Sequence, residues 1–193
     1  MFSRPGSRRM NSNCESTRRM KYDFSITDNL RQNWYINFAV PRSLMPVIRV
    51  CKTCGKKNRI PVEHLADTGR CGNCKSPLPP IDEPLAVDTQ LFDEIIAKSR
   101  VPVLVDFWAA WCGPCRMAAP EVSRTAADMA GRAIVVKVDT ERYPELAGRY
   151  NVRGIPNFAV FAHGKLVSQQ AGVVNHEQME SWLSSAEKTP SPA

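Results

Sequence analysis

The chain has 193 residues, enough for one ordinary domain and an appendage. Hydrophobic residues make up 43% and charged residues 23%, the balance of a globular protein, and no run is long and apolar enough to span a membrane. The net charge of +7 is uneven: residues 1–44 hold eight basic and three acidic side chains, residues 45–80 seven and two, residues 81–193 eleven and fourteen. A mildly acidic body thus follows a basic arm. Such an arm can serve nucleic acid or an anionic membrane, and more often it is a solvated tail.

Residues 1–44 predict a disordered extension, rich in Ser, Arg and Asn and without apolar periodicity. Within it, Gln32–Val40 carries Trp34, Tyr35, Ile36 and Phe38, a short strand or nothing stable. No apolar stretch follows Arg8-Arg9 or Arg18-Arg19, which argues against a secretory or twin-arginine signal. Glu15, Asp23 and Asp28 count against an organellar transit peptide. Met45-Pro46-Val47 stands immediately before the first recognisable module, which makes Met45 an alternative start. Residues 45–76 form a small cysteine module. Residues 77–84 form a Pro-rich, semi-extended linker. Residues 85–186 form the main domain, and residues 187–193 a tail that frays.

In the main domain, Leu85–Val87 predicts a short strand, and Asp88 caps a helix whose inner face is Leu91, Phe92, Ile95 and Ile96. Pro102–Trp108 is almost continuously apolar, the pattern of a strand buried on both faces. A long helix follows from Cys112 to about Met129, with a kink expected at Pro120. Ala133–Val138 is a second buried strand and Tyr143–Tyr150 a short helix. Asn157–Ala162 and Leu166–Ala171 flank His163-Gly164 as a hairpin. Asn175 caps a last helix with Met179, Trp182, Leu183 and Ala186 on one face. The order β-α-β-α-β-α-β-β-α predicts an α/β fold, a mixed central sheet flanked by helices.

Six of the seven cysteines fall into three C-x-x-C pairs, and Cys14 is left over as incidental. Paired units of this kind suggest metal and redox work in a reducing compartment, here the cytoplasm. Trp111-Cys112-Gly113-Pro114-Cys115 follows a buried strand and opens a helix. The partial positive charge and free N–H groups of a helix N-terminus favour the thiolate, the attacking species in disulfide exchange. Half of a zinc site or a structural disulfide is the blander alternative. Asp106 ends the buried strand, where desolvation should raise its pKa and fit it to take a proton; the alternative is an acid facing water.

Upstream, Cys51-x-x-Cys54 and Cys71-x-x-Cys74 are separated by sixteen residues, the spacing of a closed four-thiolate site. Gly55 and Gly72 are expected where the chain turns around one structural zinc ion. The module is too small to bury a core of its own, so metal would supply much of its stability. Two further redox disulfides are the competing reading. His64 is expected at the surface, and His163 and His176 in a turn and a cap region. The module is basic but lacks the interleaved aromatics of a single-strand platform, so nucleic acid is disfavoured as a partner.

Asp106-Phe107-Trp108-Ala109-Ala110-Trp111-Cys112-Gly113-Pro114-Cys115 resembles the thioredoxin active-site segment. Lys137-Val138-Asp139, Gly154-Ile155-Pro156, Gly164 and Gly172 match further thioredoxin motifs in order, over about residues 85–186. With Cys51–Cys74 upstream, the chain is similar to the zinc-ribbon-bearing bacterial thioredoxins. The resemblance implies a thioredoxin fold and a protein-disulfide reductase without an organic cofactor of its own. It implies Cys112 as an exposed nucleophile, a more buried Cys115 as resolving thiol, and Asp106 as proton acceptor. A cis bond before Pro156 is implied too, as is a substrate surface of Trp111, Gly113, Pro114, Gly154, Ile155, Pro156 and Gly172. Lys137 either tunes Asp106 or is a plain surface lysine. The implied partners are an NADPH-dependent thioredoxin reductase and disulfide-containing proteins, met by a monomer without a membrane. Asn157 departs from the threonine usual after that proline.

Overall fold

The computed structural model describes residues 47–188. The expectations for residues 1–44, the alternative start at Met45 and the last residues of the tail lie outside the described residues. No helix among the described residues is long and apolar enough to cross a membrane.

Two small hairpins open the described chain. β1 (Val47–Val50) pairs antiparallel with β2 (Lys57–Ile60), and β3 (Gly69–Arg70) with β4 (Pro77–Leu78). A 3₁₀ turn, Val62–His64, lies between them. Pro77-Leu78, expected to open the linker, instead closes the second hairpin, with Leu78 buried beside Cys51 and Cys71. Ile81 is buried as well, and its N–H donates to the Leu65 carbonyl at 3.1 Å. Apolar side chains punctuate this proline-rich stretch, and burying them ties it down.

The main domain follows as β5 (Leu85–Ala86), α1 (Thr89–Lys98), β6 (Val103–Trp108), α2 (Gly113–Asp128), β7 (Ile134–Asp139), α3 (Pro144–Arg149), β8 (Asn157–Ala162), β9 (Lys165–Ala171) and α4 (His176–Glu187). The strand order is β5-β7-β6-β8-β9. β5, β7 and β6 run parallel; β8 is antiparallel to β6, and β9 to β8. Asp88 caps α1, its carboxylate accepting the Leu91 N–H at 2.7 Å, and Asn175 caps α4 by accepting from Gln178. α2 runs through Pro120 as one helix. His163 (φ 50°) and Gly164 (φ 78°) both take the left-handed conformation that a tight two-residue hairpin needs.

Period-two alternation on the central strands sorts the core onto two faces. Val103, Val105 and Phe107 of β6 join α1, Leu146 of α3, and Val136 and Val138 of β7. Leu104 turns the other way, toward Ala118 and Val122 of α2 and Met179 and Leu183 of α4. The first cluster also takes in Val47, Val62, Leu65 and Ile81 from the upstream module. The module therefore shares a core with the main domain by way of α1, which the sequence reading, treating it as coreless, did not foresee. At about 25 cal/mol per Å² of apolar surface, this seam adds stability that no metal supplies.

Candidate active site and metal centre

β6 delivers Asp106 and Trp108, a short loop follows, and Cys112 becomes the N-cap of α2 with Pro114 in its first turn. Cys112 and Cys115 are joined by a disulfide. The Cys112 Sγ accepts the Cys115 N–H at 3.1 Å and lies 3.7 Å from the Ile155 carbonyl oxygen. An exposed Cys112 above a more buried Cys115 is not what the fold shows: the two are 2% and 5% exposed. Ala109, Trp108 and Ile155 pack around both sulfurs. What separates them is direction, because Cys112 lines an open groove and Cys115 does not.

The groove holds about 520 Å³. Trp111, Gly113 and Pro114 line it beside Cys112, as do Val152, Arg153, Gly154 and Ile155, with Thr140 and Ala147 at the end of β7 and in α3. Trp111 is 67% exposed, a large apolar face held in water. Pro156 and Gly172, expected on this surface, do not line the groove. Pro156 is buried, and its carbonyl accepts the Gly172 N–H at 2.9 Å. The Ile155–Pro156 bond is cis. Sequence reasoning missed Thr140, Ala147, Val152 and Arg153; the one available signal was that Arg153 directly precedes the Gly154-Ile155-Pro156 motif.

Asp106 shares a sheet face with Leu104, which packs under α2, and with Trp108, which packs on the cysteine pair. It is 3% exposed, and its Oδ1 has no hydrogen-bond partner among the described residues. Burial pushes its pKa up to about 6, while the Lys137 ammonium pulls it down. Lys137 Nζ lies 3.9 Å from Asp106 Oδ2 and 4.5 Å from the centre of the Trp108 ring. Of the two readings of Lys137, the geometry favours the one that couples it to the acid.

The four upstream cysteines converge. Their Sγ atoms all lie within 4.8 Å of one another, with Cys51–Cys74 at 3.6 Å and Cys54–Cys71 at 3.7 Å. Sulfurs set about 2.3 Å from a central ion in a tetrahedron would stand about 3.8 Å apart, so the donor set fits zinc. Each pair rides a tight turn: the Gly55 N–H returns to the Cys51 carbonyl at 2.8 Å, and the Lys75 N–H to the Cys71 carbonyl at 3.1 Å. Gly55 takes φ 70°, as expected of a turn glycine. At the second turn the left-handed residue is Lys75 (φ 64°), not Gly72. The equivalent position follows the second cysteine of each pair, and Gly72 follows the first. Gly72 instead donates its N–H to Asn58 Oδ1 at 2.9 Å.

Backbone N–H groups of Cys74 and Asn73 hold the Cys71 thiol down at about 6. Ser76, whose Oγ lies 3.3 Å from the sulfur, lowers Cys74. Cys71 and Cys51 are buried, and Cys54 and Cys74 are exposed. His64 is exposed and pairs with Asp67 at 2.6 Å, outside the sulfur cluster. His176 opens α4 and meets Glu121 Oε2 through Nδ1 at 2.6 Å.

The family model described as Thioredoxin matches residues 83–185, more than half of the chain, and the one described as Thioredoxin 2, N-terminal matches residues 50–76. Thioredoxin C-3 of Corynebacterium nephridii is 39% identical over 137 residues, covering 71% of this chain and 93% of that protein. Thioredoxin 1 of Chlorobaculum tepidum is 46% identical over 90 residues, covering 47% of this chain and 89% of its own length. Among solved structures, a mutant thioredoxin from Halobacterium salinarum is similar with a TM-score of 0.50 at 36% identity, over 57% of this chain and 96% of that one. Sheet order, cysteine pair and matches agree: the chain belongs to the thioredoxin family of thiol–disulfide oxidoreductases, enzymes of the protein-disulfide-reductase type, with a zinc-ribbon domain ahead of the thioredoxin fold.

Proposed function

We propose that this chain reduces disulfides in proteins by cycling Cys112 and Cys115 between dithiol and disulfide. The observation that carries the reading is the pair's placement. Cys112 caps a helix N-terminus and lines a largely apolar open groove of about 520 Å³. In the reduced enzyme the Cys112 thiolate attacks one sulfur of a substrate disulfide, forming a mixed disulfide and releasing one substrate thiolate, which takes up a proton. The Cys115 thiolate then attacks the Cys112 sulfur. This frees the second substrate thiol and leaves the Cys112–Cys115 disulfide, so two electrons pass to the substrate. Asp106, with its pKa near 6 and an unpaired Oδ1, suits the role of accepting the Cys115 proton. A thioredoxin reductase drawing on NADPH would return the pair to the dithiol.

Cys51, Cys54, Cys71 and Cys74 would hold one structural zinc ion, which when bound ties the two hairpins together through a closed set of four thiolates. The exposure of Cys54 and Cys74 favours a second reading, in which oxidation of the ribbon thiols regulates the enzyme. Unchanged activity after complete zinc loss would remove that reading. The cluster needs reduced thiols, which supports a cytoplasmic location.

The test is reduction of a protein disulfide driven by NADPH and thioredoxin reductase, comparing the wild type with Cys112→Ser. The expected result is turnover in the wild type and none in the variant. A wild type inactive with an intact, accessible pair would shift the reading to an oxidant or a binding protein.

A further inference from the structure

The segment from Tyr150 to Asn157 carries four residues that line the groove, and both of its ends are tied to one side chain. Gln169 Nε2 donates to the Tyr150 carbonyl at 3.1 Å and to Asn157 Oδ1 at 3.0 Å. Gln169 lies on β9, two residues from Ala171, the register partner of Asn157, so the two side chains are diagonal neighbours on one sheet face. The Tyr150 carbonyl stands at the end of α3, where backbone acceptors lack helical partners. Asn157 is a polar side chain only 5% exposed, and Gln169 satisfies its oxygen. Both hydrogens of one amide are thus spent on the two ends of an eight-residue segment. Between those ends lie Val152, Arg153, Gly154 and Ile155, which line the groove. Among the described residues Arg153 is the one charged residue lining it, and its Nε donates to Asn151 Oδ1 at 3.2 Å. Asn151 itself holds a left-handed conformation, φ 52°, just past the tied carbonyl.

We infer that Gln169, with Asn157 as its acceptor, positions the Val152–Ile155 wall of the groove and thereby sets affinity for protein disulfides, an inference that rests on the reductase reading above. Neither residue touches the reacting sulfurs; both are positioning residues. Their loss should weaken the capture of a folded or extended polypeptide and spare the sulfur chemistry. A small disulfide that needs only the sulfur of Cys112 should not sense the change.

The experiment mixes pre-reduced protein with excess insulin or with a small aromatic disulfide, the dithiobis-nitrobenzoate reagent, and follows rate against concentration. Gln169→Met keeps the side-chain length and removes both donors. Asn157→Leu removes the acceptor at similar volume and serves if the first variant fails to fold. The expected result is a roughly three- to tenfold rise in the half-saturating insulin concentration, the scale of one or two lost hydrogen bonds, with the limiting rate and the small-disulfide rate within about twofold of wild type. A lowered melting temperature with unchanged insulin saturation would overturn the inference by making the brace merely structural. Equal slowing with both disulfides would overturn it by placing the effect on the sulfurs. A wild type inactive with both would overturn the reductase reading and this inference with it.

Discussion

At Cys112–Cys115 and in the ribbon the chain writes the same C-x-x-C pattern, and the surrounding backbone sends the sulfurs in different directions. The redox pair opens the sixteen-residue helix α2, so the second cysteine lies one turn from the first and its N–H points back at the first sulfur. Spacing and helix together close the pair on itself. In the ribbon each pair rides a hairpin turn, and the sulfurs approach across the turns, Cys51 toward Cys74 and Cys54 toward Cys71. Four sulfurs facing inward suit an ion, whereas two sulfurs on one helix start suit exchange. The spacing alone does not choose between them; the element that follows does.

The comparison breaks most sharply at Cys115. Replacing it with serine should abolish turnover and trap Cys112 in mixed disulfides, visible by intact mass as adducts that a thiol reductant removes. An adduct-free, active variant would show that the helix-start pair does not act as a pair. Next in size is the ribbon. Cys71→Ser should abolish zinc binding, measured by metal analysis, and deprotect the amides of the two cysteine turns, Cys51, Gly55, Cys71 and Lys75, in hydrogen exchange. The β6 and β7 amides should keep their protection, because Val103, Val105, Val136 and Val138 also pack with Phe92, Ile95 and Leu146, which the ribbon does not supply. Loss of protection throughout would mean the two sites are one folding unit.

Asp106 sharpens the comparison from the redox side. Its folded pKa of about 6 lies above the ordinary 3.8, so the folded protein binds this proton more tightly than the unfolded chain. Stability contributed by the protonated acid is therefore lost as pH rises from about 4 through about 6. Asp106→Asn should flatten that slope and raise stability near neutral pH by on the order of 3 kcal/mol, read from urea unfolding on either side of the window. An unchanged slope would mean that the acid does not titrate as its burial implies. The smallest effect belongs to the turns. Lys75→Gly relieves a left-handed lysine and should stabilise the zinc-bound ribbon by about 0.5 kcal/mol, net of the entropy glycine loses. Gly55→Ala should cost about 1 kcal/mol at the matching position.

Legibility in the sequence followed the range of the interactions. The strand–helix order of the main domain was readable because each element carries its own periodicity: Val103–Trp108 is apolar but for Asp106, and Asp88 and Asn175 cap the helices they precede. The burial of Asp106 was readable from its neighbours on the same strand. Features that needed distant segments to meet were not. Arg153 and Thr140 line one groove from two loops. Cys112 is shielded by Ile155, forty-three residues away, which reversed the expected order of exposure. The second turn is made by Lys75 and not Gly72, and a glycine is conspicuous in sequence where a left-handed lysine is not. Val62 and Leu65 carry no motif, so their packing on α1 shows only in the folded chain.

That seam changes what a cut in the chain would do. Asp82 and Glu83 are exposed and lie between ribbon and body, a natural place for a protease to reach. Yet Val62, Leu65 and Ile81, all on the ribbon side of such a nick, are seated in the same cluster as Phe92 and Ile95. Two fragments would then travel as one particle under native conditions and part only in denaturant. The ribbon is less a bead on a string than a shingle laid over the first helix, and removing it would leave a greasy footprint on the enzyme.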